Sequence, residues 1–388
     1  MKAVVTGMIA TFPLGGVVWD YGQYVLGLEQ LGFEVTYLED AGIPGYDPRR
    51  GTYEVRNEYG ATYLPAALAA LSPSLADRWH LRTAEGTTYG MPSGDLLDAI
   101  ADADLFLNVS GAALVRPEYR RAARRMVLID TDPGWNHFVE YAKWDAGKRW
   151  PEEVHGYRDH DVFFTYAESI GRQGCLIPSL GLDWHPTRPP VVLDLWKPEG
   201  VATTWTTVMT WDTFRQPIEH DGATYGTKER EFPKVEDLPR RVNVPLEIAI
   251  SGTSAPTERW RGLGWSVRQA EVASGTPDEY RSYVQRSRGE FSVAKNVYVA
   301  TNSGWFSCRS ACYLAAGRPV VLQDTGWSQI VPSGDGLLPF TTIGDAGQAL
   351  RAVERDYEAH SAAARDIACT TFDSRRVLGD LVDRALRP

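Results

Sequence analysis

The beginning of the chain carries the pattern that most constrains its fold. Lys2–Thr6 is predicted to be a short buried strand, Gly7–Gly16 a loop, and Val17–Leu31 a helix that ends at Gly32. A second strand is predicted at Phe33–Leu38. Because a strand–helix–strand unit almost always closes with a right-handed crossover, its two strands pair in parallel. The pattern therefore predicts an α/β protein with a parallel sheet.

The same alternation continues through the first half of the sequence. Strands are predicted at Leu105–Val109, Met126–Ile129 and His160–Tyr166, and helices at Leu96–Ala103 and Pro117–Arg125. Strands and helices that alternate in this way form a doubly wound sheet with helices on both faces. We expect one such Rossmann-like domain over residues 1–195.

A second series of elements follows a proline-rich connection at Pro178–Pro198. Its predicted strands are Thr204–Met209, Leu246–Ile250, Trp265–Ser266, Gly289–Val293 and Pro319–Leu322, and its helices are Arg309–Ala316, Ala346–Thr370 and Ser374–Leu386. A chain of 388 residues is too long for one ordinary core. We therefore expect two Rossmann-like domains that face each other across a cleft, with the second over residues 196–372.

Charge and cysteine content exclude several classes of function. Lys and Arg number 40 against 50 Asp and Glu, and a net charge of −10 disfavours a nucleic-acid partner. The four cysteines lack the paired spacing of zinc sites, which predicts no metal and a reducing cytoplasm. These cysteines are Cys175, Cys308, Cys312 and Cys369.

The apolar N-terminal segment is better explained as a strand than as a signal peptide. Met1–Val18 is interrupted by Gly7, Pro13 and two adjacent glycines. No segment approaches the ~20 uninterrupted apolar residues of a membrane helix. We expect a cytoplasmic protein without an integral membrane segment.

One segment of the second half resembles a known family. The stretch NSGWFSCRSACYLAAGRPVV, Asn302–Val321, and the stretch QDTGWSQIVPSGDGLLPF, Gln323–Phe340, resemble the donor-binding segment of GT-B glycosyltransferases. In that fold a loop leads into a helix that points at the diphosphate of a nucleotide sugar. A Gly-x-Pro, here Gly317–Pro319, then opens the next strand. Arg309 at the helix start resembles the spore-maturation CgeB-like branch of glycosyltransferase group 1.

The resemblance implies an activity and its partners. It implies transfer of a hexose from a nucleotide-diphosphate donor to the hydroxyl of a small-molecule or glycan acceptor, as in carbohydrate or natural-product glycosylation. The nucleotide sugar is a co-substrate, and no further cofactor is expected. The first domain would bind the acceptor and the second the donor, with the helix over residues 373–388 packing back on the first domain. A homodimer is left open.

One departure from the family leaves the stereochemical outcome open. The large retaining branch of this fold has two glutamates at positions that hold Gly304 and Cys312 here. The chain also lacks an Asp-x-Asp in a donor-domain loop, since Asp130-Thr131-Asp132 lies in the first domain. We therefore expect sugar transfer without a divalent metal ion.

The donor diphosphate is expected at the start of the helix that contains Arg309. A helix N-terminus carries about half a positive charge and free N–H groups, which attract phosphate. The preceding loop, Arg309 and the glycine turn after the next strand are the first donor-binding candidates. They are Ser303, Gly304, Trp305, Phe306, Ser307, Arg309, Asp324, Thr325 and Gly326. The alternative for this loop and Arg309 is a plain capped helix with a surface arginine.

Further donor candidates come from other strand ends. Lys295 and Asn296 follow a strand at the end where ligands bind in open α/β sheets. Lys228 lies early in the second domain, where the family has a phosphate-directed lysine. Gly15 and Gly16 precede the first helix in a loop that faces the cleft in this fold. A solvated lysine and a simple turn remain the alternatives for these positions.

The general base is sought among acidic and imidazole groups at a strand end. Asp130, Asp132 and His137 follow the strand Met126–Ile129, and each can accept a proton from an acceptor hydroxyl. An Asp-Pro-Gly turn that caps the next helix is the alternative. Asp20 is a rival base, with the role of an acid in the first turns of a helix as its alternative.

Two other functions remain open. A sugar-nucleotide epimerase shares this two-domain fold and needs no acceptor. A non-catalytic protein that binds a nucleotide or a sugar is the other, because the two family glutamates are missing.

Overall fold

The computed structural model describes residues 1–148, 153–200, 203–211, 216–252 and 254–387. Strands are numbered in chain order. They are β1 Lys2–Thr6, β2 Glu34–Glu39, β3 Gly45–Asp47, β4 Thr52–Glu54, β5 Trp79–Arg82, β6 Thr88–Gly90, β7 Leu105–Val109, β8 Met126–Asp130, β9 Val162–Thr165, β10 Trp184–Pro186, β11 Trp205–Thr210, β12 Ile218–His220, β13 Ala223–Tyr225, β14 Leu246–Ser251, β15 Ser266–Gln269, β16 Gly289–Ser292, β17 Val320–Gln323 and β18 Leu337–Phe340.

Helices are numbered in the same way. They are α1 Gly15–Gln30, α2 Glu58–Leu71, α3 Ser93–Asp102, α4 Pro117–Ala122, α5 Pro133–Trp135, α6 Tyr141–Asp145, α7 Thr257–Leu263, α8 Ala270–Ser274, α9 Pro277–Gln285, α10 Asn296–Ala300, α11 Cys308–Ala315, α12 Ile343–Arg355, α13 Tyr357–Ile367 and α14 Ser374–Ala385. A π-helical turn at Asn136–Glu140 joins α5 to α6, and another at Ala368–Phe372 follows α13.

The first sheet has eight strands in the order β10-β9-β8-β7-β1-β2-β5-β6. All neighbours pair in parallel except β5 and β6. The direction in which successive strands are added to the sheet reverses between β1 and β7. Open α/β sheets bind their ligands at such a reversal point. The loops after β1, β7 and β8 therefore define the carboxyl edge of interest.

The second sheet has six parallel strands in the order β15-β14-β11-β16-β17-β18. Its winding reverses between β11 and β16. Helix α11 begins at the carboxyl edge of this sheet because it connects two parallel strands, β16 and β17. The two carboxyl edges face each other, since side chains after β8 bond to side chains after β16.

The connection between the sheets is shorter than the proline-rich stretch suggests. Trp184–Pro186 forms β10 and adds a strand to the first sheet. Only the part after it connects the two units, each of which is one large sheet with the helices that pack on it. Arg365 holds this part by donating hydrogen bonds to the carbonyl oxygens of Leu193 and Trp196 at 3.2 and 3.0 Å.

The last helix packs on the first unit. Leu378 and Leu381 of α14 are buried in the same apolar cluster as the strands of the first sheet. Gly27 makes this contact close, because a Cβ at that position would lie 2.5 Å from Leu378 Cδ1. The side chain of Asp373 begins α14 by accepting a hydrogen bond from the Arg375 amide.

Candidate functional site

Two of the three candidate bases at the end of β8, Asp130 and His137, are buried and bonded to other protein groups. Asp130 is fully buried and accepts hydrogen bonds from His137 Nε2 at 3.0 Å, Thr165 Oγ1 at 2.9 Å and Asn136 Nδ2 at 2.6 Å. His137 is also buried, and its Nδ1 donates to the Pro178 carbonyl oxygen at 2.7 Å. Both candidate bases are thus occupied by protein partners, which corrects the expectation that they face an acceptor.

Asp132 is the member of this cluster that reaches the second unit. Its Oδ2 lies 2.5 Å from Lys295 Nζ, and its Oδ1 accepts a hydrogen bond from the Tyr298 hydroxyl at 2.5 Å. The same Oδ1 caps α5 through the Trp135 amide. Asp132 and Lys295, predicted separately as a base and a donor contact, therefore form an ion pair that joins the two units.

The loop before α11 is an interface between the units. Ser303, Phe306 and Ser307 are buried, and Phe306 packs against the rings of Trp327 and Phe372 at 5.6 and 4.7 Å. Trp305 donates from Nε1 to the Thr131 carbonyl oxygen at 3.0 Å. These contacts correct the expectation that the whole loop lines the donor site.

Gly304 is required for a reason other than a phosphate. Its φ is +74°, and a Cβ there would lie 2.6 Å from Ser169 Oγ and 2.8 Å from the Ser169 backbone nitrogen. The Gly304 amide itself donates to the Thr325 carbonyl oxygen at 2.8 Å. The backbone that approaches Gly304 closely therefore belongs to the first unit.

The turn after β17 is held by its own side chains. Asp324 accepts hydrogen bonds from the amides of Gly326 and Ser328 at 2.9 and 3.3 Å, and Thr325 Oγ1 donates to the Trp305 carbonyl oxygen at 2.7 Å. Asn296 is engaged as well, since its amide group bonds to the Gly226 nitrogen and to Glu231. These residues position the loops of the carboxyl edge.

Gly15 and Gly16 belong to the first turn of α1 and contact the second unit. A Cβ on Gly15 would lie 2.0 Å from the Thr276 carbonyl oxygen, and the Gly16 amide donates to Ser274 Oγ at 3.1 Å. Trp19 adds a hydrogen bond from Nε1 to the Pro277 carbonyl oxygen at 2.8 Å. The start of α1 thus faces the second unit, and its two glycines allow the backbones to approach closely, while contact with the donor phosphate stays a prediction.

Arg309 points back into the second sheet. Its Nε lies 2.5 Å from Glu290 Oε1, and its terminal nitrogens donate to the Val208 carbonyl oxygen and to Ser292 Oγ, each at 2.6 Å. Glu290 is fully buried, so the pair neutralises a carboxylate that has no access to water. The guanidinium fork is therefore committed to protein acceptors, in contrast to the free phosphate-binding fork expected from the sequence.

Lys228 carries the unpaired amine of the site. Within the part of the chain that the structure describes, its amine has no hydrogen bond and no ion pair. Burial lowers its pKa well below the usual value, and the charges of Arg309 and Lys295 lower it further, while Glu290 raises it. Lys228 therefore lies close enough to Arg309 and Lys295 to feel their charges, and the three side chains together would attract an anion.

Asp20 approaches the start of α11 from the first unit. The side chain is exposed to solvent, yet the protein around it desolvates the carboxylate and raises its pKa to about 6. A hydrogen bond from the Cys308 thiol and the charge of Arg309 oppose that rise. Cys308 is the first residue of α11, so Asp20 lies directly across the cleft from the start of this helix.

The residues that meet at the cleft are thus Asp20, Cys308, Arg309 and Lys228. The Ser307 side chain does not cap α11, and the buried atoms Ser310 Oγ and Glu290 Oε2 have no hydrogen-bond partner among the described residues. The site combines a helix N-terminus, an unpaired amine and a carboxylate with a raised pKa. Such a set can stabilise an anionic leaving group and accept a proton.

In the described ranges, no group of three or more His, Cys, Asp or Glu side chains is arranged to hold a metal ion. None of the helices described is long and apolar enough to cross a membrane.

Solved structures of glycosyltransferases resemble this chain over almost its whole length. The glycosyltransferase AviGT4, involved in avilamycin A biosynthesis, matches with a TM-score of 0.53 and 13% identity over 99% of this chain and 97% of its own. HepE from Anabaena, solved with UDP and glucose, matches with a TM-score of 0.55 and 10% identity over 99% and 98%. HepE solved with UDP-glucose gives a TM-score of 0.55 and 10% identity over 99% of both chains.

No family model and no curated protein matches the sequence. The match to solved structures covers both units in a single superposition, and it agrees with the two facing parallel sheets and the cleft between their carboxyl edges. The chain therefore has the GT-B glycosyltransferase fold.

Proposed function

We propose that the protein transfers a hexose from a nucleotide-diphosphate sugar to an acceptor hydroxyl. The observation that carries this proposal is the unpaired amine of Lys228 near the start of α11, opposite Asp20. An amine in these surroundings is costly to charge without a partner, so a bound anion would stabilise its charged form. A diphosphate is such an anion, and it is the leaving group of this reaction.

In the proposed complex the diphosphate lies between Lys228 and the first turn of α11. The amine and the N–H groups of the helix would stabilise the charge that develops as the bond between the sugar and the diphosphate breaks. Arg309 contributes the electrostatic attraction of its charge but no hydrogen bond to the phosphate. Its N–H donors are bonded to Glu290, Val208 and Ser292. The structures of HepE with UDP and with UDP-glucose support a nucleotide-sugar donor for this fold.

Asp20 is the proposed general base. As the acceptor oxygen forms its bond to the anomeric carbon, its proton passes to the Asp20 carboxylate and the diphosphate leaves with the electron pair. A base is most effective when its pKa is close to the working pH, and burial raises the pKa of Asp20 to about 6. Asp130 and His137 are bonded to each other away from water, which favours Asp20 over them.

The reaction is proposed to need no divalent metal ion. Lys228 and the end of α11 supply the positive charge that a metal ion would otherwise bring to the diphosphate. Chelation should therefore leave the rate unchanged. Loss of activity with a chelator and its return with manganese would contradict this point.

Calorimetry with UDP, GDP and dTDP tests the donor site. A charge-assisted hydrogen bond is worth ~1.5–3 kcal/mol, so Lys228→Ala should weaken binding of the preferred nucleotide by roughly one to two powers of ten. Lys197→Ala is the matched control, because Lys197 is exposed and lies in the connection between the sheets. Equal affinity in the wild type and Lys228→Ala would place the donor elsewhere.

Product analysis separates transfer from the other functions of this fold. With a nucleotide sugar and no acceptor, a transferase leaves the sugar configuration unchanged, whereas an epimerase alters it. Conversion of the donor under these conditions would replace the proposed reaction by epimerisation. Tight nucleotide binding without turnover over a broad acceptor panel would indicate a binding protein.

A further inference from the structure

A cavity of about 410 Å³ opens at the carboxyl edge of the first sheet, apart from the donor residues. It lies between the loop after β2, the loop after β7 and the helical segment after β8. Its walls are mainly apolar and aromatic, formed by Ile43, Leu114, Leu128, Tyr141, Trp144 and Tyr157. The volume is in the range of small-molecule pockets.

One end of the pocket lies beside Tyr21, the neighbour of the proposed base, and the charge of Asp20 acts on the Tyr21 hydroxyl. Ser110 lines the pocket, and its hydroxyl is 2.7 Å from Thr131 Oγ1. The hydroxyl of Tyr21 also bonds to Ser110, and Tyr21 follows Asp20 on α1. A hydroxyl group at this end of the pocket would therefore lie close to the cleft.

Two polar side chains of the pocket, Asn108 and His160, are already satisfied, whereas the buried Tyr141 hydroxyl has no hydrogen-bond partner among the described residues. The Asn108 amide donates to the Ala113 carbonyl oxygen and to His160 Nε2, both at 3.1 Å, and its oxygen accepts from Thr6 and Ala113. His160 donates from Nδ1 to the Tyr157 carbonyl oxygen, and burial lowers its pKa to about 4, so the ring is neutral. An oligosaccharide, which needs many hydrogen bonds, finds few free partners here.

One wall of the pocket is built from stacked aromatic rings. The rings of Tyr141 and Tyr157 stack at 4.1 Å with an angle of 14° between their planes. Tyr141 also stacks on Trp184, and the Tyr157 hydroxyl donates to Asp145 at 2.8 Å. Ring systems in such a wall favour a flat aromatic partner, which gains both apolar burial and ring contacts.

The rim of the pocket is basic. Lys143 pairs with Glu140 at 2.9 Å, whereas the amine of Lys148 has no hydrogen bond or ion pair to any residue that the structure describes. An exposed amine at the mouth of an apolar pocket attracts an acidic substituent at the outer end of a ligand.

From these features we infer that the pocket binds the acceptor, and that the acceptor is a small flat aromatic alcohol or phenol, preferably with an acidic substituent. This inference rests on the proposed glycosyl transfer. The aromatic body lies between the walls, the reacting hydroxyl points to Ser110 and Asp20, and the acidic group meets Lys148.

Calorimetry in the presence of UDP tests the inference with three probes: umbelliferone, p-coumarate and maltotriose. Ile43→Asp should weaken umbelliferone binding by at least about tenfold, because it places a charge on the apolar mouth. Val272→Asp is the matched control, since Val272 is an exposed apolar side chain of the second unit. Lys148→Ala should weaken binding of p-coumarate and leave that of umbelliferone unchanged.

The outcomes separate this inference from the proposed function. Unchanged umbelliferone binding in Ile43→Asp, or tighter binding of maltotriose than of both phenols, would overturn the inference. Binding of UDP without binding of either phenol would also overturn it, with the transferase proposal intact. Loss of UDP binding by the wild type would instead remove the transferase proposal. Ile43→Ala and thermal melting serve if Ile43→Asp does not fold.

Discussion

The carboxylate of Asp132 and the amine of Lys295 lie 2.5 Å apart although they belong to different sheets. The Tyr298 hydroxyl bonds to the same carboxylate at 2.5 Å, and its ring stacks on Trp305 at 4.3 Å. Trp305 in turn bonds to Thr131. These contacts make one continuous junction between the loop after β8 and the loop that leads into α11.

The first prediction concerns this junction. The side chains of Asp132 and Lys295 are 30% and 17% exposed, so water screens their ion pair only in part. Asp132→Asn, Lys295→Met and the double variant should show a coupling of about 0.5–3 kcal/mol in urea unfolding, as is usual for residues in contact. Strictly additive effects would show that the ion pair does not hold the units together.

The second prediction concerns the pH dependence of catalysis. Burial raises the pKa of Asp20 to about 6, and a general base acts in its ionised form. The value of kcat/KM should therefore rise through about pH 6 and level off above it. Asp20→Asn should lower kcat by roughly 10²–10⁴-fold and remove that rise. A profile that keeps its acidic limb in Asp20→Asn would assign the limb to another group.

The same shift predicts the effect of Asp20 on stability. Its pKa in the folded state is higher than in the unfolded chain, so its contribution to stability is greatest below pH 4 and is lost as the pH rises through about 6. Asp20→Asn should therefore raise the melting temperature relative to wild type at about pH 8 more than at about pH 4. Melting curves at both pH values check the sign.

The third prediction revises the role of Arg309. Removing one partner of a buried ion pair leaves the other charge uncompensated, so Arg309→Ala should destabilise the fold by about 3–5 kcal/mol. Arg309→Met combined with Glu290→Gln should recover much of this loss. Chemical denaturation measures both. Weaker nucleotide binding in Arg309→Ala alone would therefore not indicate a direct contact with phosphate.

Much of the fold follows from local sequence. The strands β1 at Lys2–Thr6 and β7 at Leu105–Val109 have the predicted bounds, because apolar runs flanked by charge or glycine define them. Helix α2 at Glu58–Leu71 has no such signal. Its alanines favour a helix, but Pro65 in its interior is typical of a helix end, so the sequence does not indicate one continuous helix.

The site could be predicted in part. Its general position follows from the glycine at 304, Arg309 and the Gly-x-Pro after α11, but the partners of these residues come from distant segments. A sequence indicates that Gly304 needs space, not that Ser169 fills it. In the same way, Asp20 resembles an ordinary helix acid until the fold brings Cys308 and Arg309 close to it.

The last prediction concerns the proton that accompanies nucleotide binding. Burial lowers the pKa of Lys228, and Arg309 and Lys295 lower it further. A bound diphosphate favours the charged amine and raises that pKa again, so binding should take up a proton. Calorimetry in HEPES and in Tris between about pH 8 and pH 9, where the phosphate itself no longer titrates, gives the number of protons. Uptake should disappear in Lys228→Ala and persist in Lys197→Ala. If Lys228→Ala takes up the same number of protons as the wild type, Lys228 does not contact the diphosphate.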